Sequence, residues 1–217
     1  MSERLILAID TSFGPVSATL ATMDGRIVGR IDTDNPAGMQ AETLPPLVAK
    51  LFAGQDFKQL ARVAVTVGPG AFTGVRVGLA FAKGLRLATG AEVLGFSTLD
   101  CLGAQAAVHG ADSIGAVIDA KRGEVYVQAF SQSCEPLGEA AVLPVGEASE
   151  MLRRVLTSKF VLTGSGALLL NGFGDAEIVP FHRIDTALLA RRAASADPAH
   201  YPAVPAYLRA PDARLPA

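Results

Sequence analysis

Leu7-Ala8-Ile9-Asp10-Thr11-Ser12-Phe13-Gly14-Pro15-Val16-Ser17-Ala18 and Val117-Ile118-Asp119-Ala120-Lys121-Arg122-Gly123-Glu124-Val125-Tyr126-Val127 are two copies of one pattern. Asp10 matches Asp119, Gly14 matches Gly123 and Val16 matches Val125, each at an offset of 109 positions in a chain of 217. The copies lie half a chain apart, the mark of an internal duplication. Each begins as a short apolar strand, passes a polar turn with a glycine, and continues as an alternating strand: Val16, Ala18, Leu20 in one, Val125, Val127, Ala129 in the other. Later in each half an apolar strand runs into Gly-x-Gly, at Val63-Ala64-Val65-Thr66-Val67-Gly68-Pro69-Gly70 and at Phe160-Val161-Leu162-Thr163-Gly164-Ser165-Gly166, and a helix-like segment is expected after both.

Two domains that each offer a strand-end Asp and a strand-end Gly-x-Gly across a cleft are the layout of the actin, Hsp70 and sugar-kinase superfamily. The expected fold is therefore α/β, two duplicated ribonuclease-H-like domains over 1–103 and 104–217, joined near 98–112. Ser97-Thr98-Leu99-Asp100 resembles a helix capping box at that crossing. In the superfamily the acidic strand ends and glycine turns surround nucleotide phosphates and Mg²⁺.

Composition removes several other classes. Half the residues are apolar, 18% are charged, 6% are aromatic and none is Trp, a globular balance in a chain long enough to bury a core. Cys101 and Cys134 stand far apart, and His109, His182 and His200 are scattered, so neither a disulfide framework nor a zinc or HExxH site is encoded. The run Leu5 to Ile9, closed by Asp10, is too short for a signal peptide, and no stretch is long enough to span a bilayer. A cytoplasmic chain is expected. Net charge is −2, with residues 1–150 carrying 11 basic and 16 acidic side chains and residues 151–217 carrying 8 and 5. An independent nucleic-acid binder normally has a strong basic surplus. The scatter Arg183, Arg191, Arg192, Arg209 and Arg214 reads as a solvated face before it reads as an RNA platform.

Gly68-Pro69-Gly70-Ala71-Phe72-Thr73-Gly74 is the sharpest local feature. Its glycines permit close backbone approach and Thr73 is placed to cap the next helix, so the turn is either a purely structural strand-to-helix link or a cradle for phosphate. No Lys-Ser/Thr pair follows, which excludes a Walker loop. In the helix expected over Gly74 to Ala88, Arg76, Lys83 and Arg86 fall within about 80° of arc, leaving roughly 280° apolar or small. A second amphipathic segment, Ala37 to Phe52, spaces Leu44, Leu47, Val48, Leu51 and Phe52 as one helix face, with a kink or restart expected at Pro45 and Pro46. Both segments are either core helices or a face offered to a partner.

Several blocks together resemble the bacterial TsaB (YeaZ) family. They are Leu7 to Ser12, Gly68-Pro69-Gly70-Ala71-Phe72-Thr73-Gly74-Val75-Arg76-Val77-Gly78-Leu79-Ala80, Lys83-Gly84-Leu85, Gly95-Phe96-Ser97-Thr98-Leu99, Asp119 to Tyr126, and Tyr207-Leu208-Arg209, in order from Leu5 to Arg209. The resemblance implies a non-catalytic partner in the installation of threonylcarbamoyl on the adenosine 3′ to the tRNA anticodon. It also implies binding to TsaD, the larger catalytic homologue, with TsaE as a small ATPase and tRNA met only through the complex. The two helices would form the TsaD contact and self-pair as a homodimer without it. On this basis Leu44, Leu47, Leu51, Gly74, Val77, Gly78, Phe81 and Leu85 are the expected interface. Asp10, Thr11, Ser12, Gly68, Gly70 and Thr73 are a vestigial phosphate position, and no cofactor is expected beyond ATP or ADP at the subunit junction. The family's usual Ser is Ala71 here, and its frequent His is replaced in Gln40-Ala41-Glu42-Thr43-Leu44-Pro45. Two other functions compete: a small-molecule kinase or ATPase using Asp10 or Asp119 with Mg²⁺, and a direct tRNA binder using the basic C-terminal third.

Overall fold

Along the first strand, β1 (Leu5–Asp10), alternate side chains enter opposite cores, Ile6 and Ala8 one and Leu5, Leu7 and Ile9 the other. That period-2 split requires a sheet covered on both faces, and the rest of the chain supplies the covers. The computed structural model describes residues 3–34, 38–174 and 176–209; Ala37 and Arg214, named above, lie outside them.

The first sheet has the order β3-β2-β1-β4-β5, with β2 (Ser17–Thr22), β3 (Ile27–Asp32), β4 (Leu60–Thr66) and β5 (Glu92–Phe96). β1 to β3 are antiparallel neighbours, and β4 and β5 run parallel to β1. The second sheet repeats this connectivity as β8-β7-β6-β9-β10, from β6 (Ser113–Lys121), β7 (Glu124–Ser131), β8 (Ala141–Pro144), β9 (Phe160–Thr163) and β10 (Glu177–Val179). The expected duplication is present, and its alternating strands match. Val16, Ala18 and Leu20 enter the outer core of the first lobe, as Val125, Val127 and Ala129 enter that of the second.

The helices are α1 (Gln40–Leu51), α2 (Phe72–Thr89), α3 (Thr98–Ala106), α4 (Val145–Val155) and α5 (Thr186–Ser195). α1 and α2 cover the outer face of the first sheet and α4 that of the second. The inner helices cross over. α3 follows β5 yet packs on β6, β7 and β9, whereas α5 follows β10 yet packs on β1 and β2. One continuous core thus runs from Ile6, Ala8 and Ala64 through α5 and α3 to Ile114, Ala116 and Phe130. The 103/104 boundary falls inside α3. Asp100 makes no capping box; it holds Arg192 of α5 in a two-pronged ion pair, while Arg62 closes the end of α5 on the carbonyls of Ala193, Ala194 and Ala196.

Three local expectations are corrected. α1 continues through Pro45 and Pro46 without restarting: the carbonyls left without an N–H donor are those of the exposed Ala41 and Glu42, where water can take the lost bond. Thr73 is not the cap of α2, because the helix opens at Phe72, two residues earlier than expected, and Ala71 occupies the cap position. After Gly166 the second lobe makes only a single 3₁₀ turn, Ala167–Leu169, because Asn171-Gly172-Phe173-Gly174 breaks any longer helix.

Gly74 is the tightest packing point on α2: a Cβ there would lie 1.8 Å from the Thr11 carbonyl oxygen. One at Gly84 would meet nothing within 4 Å. Gly74→Ala is expected to destabilise the fold by about 3 kcal/mol, and Gly84→Ala to stabilise it by about 0.5–1 kcal/mol through helix propensity. Urea unfolding of the two variants measures the difference.

Candidate functional site

The carboxyl end of β1 meets the glycine turn after β4, and here the sequence-expected phosphate residues gather. Asp10 and Thr11 are fully buried and Ser12 nearly so. Asp10 Oδ1 accepts from the Ser12 backbone N–H at 2.9 Å, the Ser12 hydroxyl at 2.8 Å and the Thr66 hydroxyl at 2.5 Å. Thr98 Oγ1 of α3 stands 3.0 Å from Ser12 Oγ and closes the cluster from the far side. Asp10 Oδ2 is buried with no partner. Burial pushes the Asp10 carboxyl above its ordinary range, against the hydrogen bonds from Thr66 and Ser12.

The glycine turn is pressed onto this cluster. Ala71 N–H donates to the Ser12 carbonyl at 2.8 Å, Thr98 N–H to the Gly68 carbonyl at 2.8 Å, and the Thr11 hydroxyl to the Gly74 carbonyl at 2.7 Å. Gly70 leaves no room for a side chain, since a Cβ would lie 2.3 Å from the Ser12 carbonyl oxygen. Asp10, Thr11, Ser12, Gly68 and Gly70 therefore form one sealed unit whose hydroxyls all have partners within the chain. Thr73 lies outside it, exposed on the first turn of α2. Thr66 and Thr98 complete the unit and were not singled out in the sequence, where a Thr inside an apolar strand and one opening a helix carry no mark.

Asp119, the duplicate of Asp10, is differently placed. It is half-buried rather than enclosed, and its carboxylate takes the Lys121 ammonium at 2.6 Å and the Lys121 backbone N–H at 2.8 Å, which hold it below its ordinary range. Among the described residues no group of three or more His, Cys, Asp or Glu is placed to hold a metal ion.

The expected interface divides in two. Leu44, Leu47 and Leu51 are buried under α1, and Gly74 and Gly78 face inward against Thr11, where a Cβ on Gly78 would lie 2.6 Å from the threonine hydroxyl. These five residues are corrected to core positions: the glycines admit the chain's own strand end rather than a partner. Val77, Phe81 and Leu85 are half-buried between α1 and α2, beside an exposed strip of Ala80, Gly84, Leu87 and Ala88. Much of the apolar arc of α2 is thus taken by its own sheet and by α1. Within the basic scatter, Arg183 is paired to Asp32 and Asp34, Arg192 to Asp100, and Arg209 to Glu124. No helix among the described residues is long and apolar enough to cross a membrane.

Two lobes of identical 3-2-1-4-5 connectivity, with an Asp near each first-strand end, have the duplicated ribonuclease-H-like fold of the actin, Hsp70 and sugar-kinase type. The family model described as TsaD, tRNA N6-adenosine threonylcarbamoyltransferase, matches residues 39–173. The protein of Escherichia coli K12 named tRNA threonylcarbamoyladenosine biosynthesis protein TsaB is 32% identical over 169 residues, covering 74% of this chain and 71% of its own. The solved structure of YeaZ from Pseudomonas aeruginosa superposes with a TM-score of 0.74 at 27% identity, over 94% of this chain and all of that one. An uncharacterized Mycobacterium leprae protein is 34% identical over 144 residues, 64% of this chain but only 39% of its own length. The chain belongs to the TsaB (YeaZ) family.

The state of Asp10 sets a pH dependence. Between the ordinary carboxyl pKa of 3.8 and the raised folded value, the folded chain keeps a proton that the unfolded chain has released, so stability falls as pH rises through that window. In Asp10→Asn the amide oxygen accepts the same three donors and nothing titrates. Unfolding free energies of Asp10→Asn and wild type, measured from about pH 4 to neutrality, are expected to diverge in favour of the variant as pH rises.

Proposed function

We propose that this chain is a supporting subunit in tRNA threonylcarbamoyladenosine biosynthesis that binds a TsaD-type catalytic homologue and supplies no catalytic group. The observation that carries this reading is the sealed strand end. A carboxylate that positions Mg²⁺ or a nucleophile must be ionised and reachable, whereas Asp10 is enclosed, pushed toward its neutral form and bonded to three donors of its own chain.

Two observations favour α2 as the contact. The strip Ala80, Gly84 and Ala88, flanked by half-buried Val77, Phe81 and Leu85 and by Leu87 at 90% exposure, lets another backbone approach closely and offers apolar contact at its edge. The TsaD family model also matches this chain, so the partner is a relative of similar fold. Related folds present related surfaces, the condition for a pseudo-two-fold contact, and the same strip would pair two copies of this chain in the partner's absence. ATP or ADP, a TsaE-type ATPase and tRNA enter this reading through the assembled complex in the cytoplasm.

The test is co-purification with the TsaD-type homologue. Gly84→Arg and Ala80→Arg project into open solvent in the free chain and are expected not to destabilise it, Gly84→Arg gaining helix propensity, while weakening the heterodimer about 100-fold or more. Leu168→Arg, an exposed apolar position on the second lobe, is expected to leave it intact. A heterodimer that survives Gly84→Arg and Ala80→Arg removes α2 from the interface.

A further inference from the structure

The nine residues after the last 3₁₀ turn, Tyr201 to Arg209, do not return to either sheet as a strand. Tyr201 stacks on Phe96 with ring centroids 4.4 Å apart, and its carbonyl accepts from Gly95 N–H at 2.9 Å. Gly95 has no space for a side chain because the Pro202 carbonyl and Ala203 Cα would lie 2.6 and 3.0 Å from its Cβ. Ala206 N–H then donates to the Val67 carbonyl at 2.8 Å, just beyond the end of β4. Tyr207 lies against Phe72, ring centroids 5.5 Å apart, and its hydroxyl accepts from Arg76 Nε at 3.1 Å, both partners being in the first turns of α2. Leu208 packs on the inner core. Arg209 crosses to the second lobe, where its guanidinium donates to the Ala120 carbonyl at 3.0 Å and pairs with Glu124 at the β6–β7 turn.

We propose that residues 201–209 are a latch that closes the carboxyl-end mouth between the lobes and holds them at one angle. The lobes are already joined through α3 and α5 by a shared core, and in this proposal that core is the axis about which they would turn. The latch acts at the far end of the lever, at the exits of β4 and β6, so a few contacts there restrain rotation that the hinge core permits. Carboxyl ends of parallel strands are also where open α/β sheets take ligands; here this chain's own tail lies over the exits of β4 and β5. The tether on the second lobe is specific, because a guanidinium can serve the Ala120 carbonyl and the Glu124 carboxylate together while an ammonium is a single point charge.

The test measures lobe separation in the full chain by pulsed electron resonance between spin labels on Lys58→Cys and Glu147→Cys, one exposed position on each lobe, in a Cys134→Ser background. Cys101 is buried with its thiol pushed up and does not take label. One narrow distance distribution is expected with the latch intact, and a second, displaced population in Arg209→Ala and in Tyr207→Ala, with Arg209→Lys between them. Amide exchange at Ala206 and Gly95 should quicken at least about tenfold in the same two variants. Arg154→Ala, which removes an exposed ion pair on α4, should change neither reading. Distance distributions in Arg209→Ala and Tyr207→Ala that superimpose on the unsubstituted chain would overturn the proposal, whether or not the tail amides exchange faster.

Discussion

The contact between the glycine turn and the end of the first strand governs much of this molecule. Gly70, Gly74 and Gly78 bring backbone against Thr11 and Ser12 at distances that no side chain would allow, and the Thr11 hydroxyl is spent on the Gly74 carbonyl. With the turn held so close, Asp10 has no exposed surface, and that burial pushes its carboxyl above the ordinary range against the hydrogen bonds from its own neighbours. The packing that anchors α2 is thus also what encloses the Asp10 carboxyl at the strand end.

The second lobe makes a similar contact to a different end. Its Gly164 and Gly166 also press on a first strand, against Val117 and Asp119, yet no long helix follows them. Asp119 stays half-buried and is balanced by Lys121 instead of being enclosed. Duplicated topology has thus given two unequal halves: one seals its acidic strand end and carries an outer helix, and the other presents a charged turn that Arg209 grips. The exchange of inner helices, α3 over the second sheet and α5 over the first, joins these halves through a shared core.

This arrangement also decides what α2 leaves uncovered. α2 uses Val75, Leu79 and Ala82 for its sheet and Val77, Phe81 and Leu85 against the neighbouring helix, which leaves a narrow strip of Ala80, Gly84, Leu87 and Ala88 open. A narrow strip of small residues suits one close backbone contact better than a broad hydrophobic interface. Association through it would not expose the core beneath.

The sequence by itself determined the duplicated topology, the outward-core alternation of both second strands and the position of the glycine turn, because these follow from short-range patterns that the chain must satisfy wherever it sits. Tertiary structure decided everything that depends on which neighbour fills a given space. The glycines at 74 and 78 and the leucines at 44, 47 and 51 look equally available to a partner on a helical wheel, but only the fold shows that β1 and the sheet already occupy them. The exchange of α3 and α5, the closure of Asp10 by Thr66 and Thr98, and the path of residues 201–209 join positions far apart in the chain. Periodicity records which side of an element is apolar, while burial and proton affinity are set by what the folded chain brings to that side.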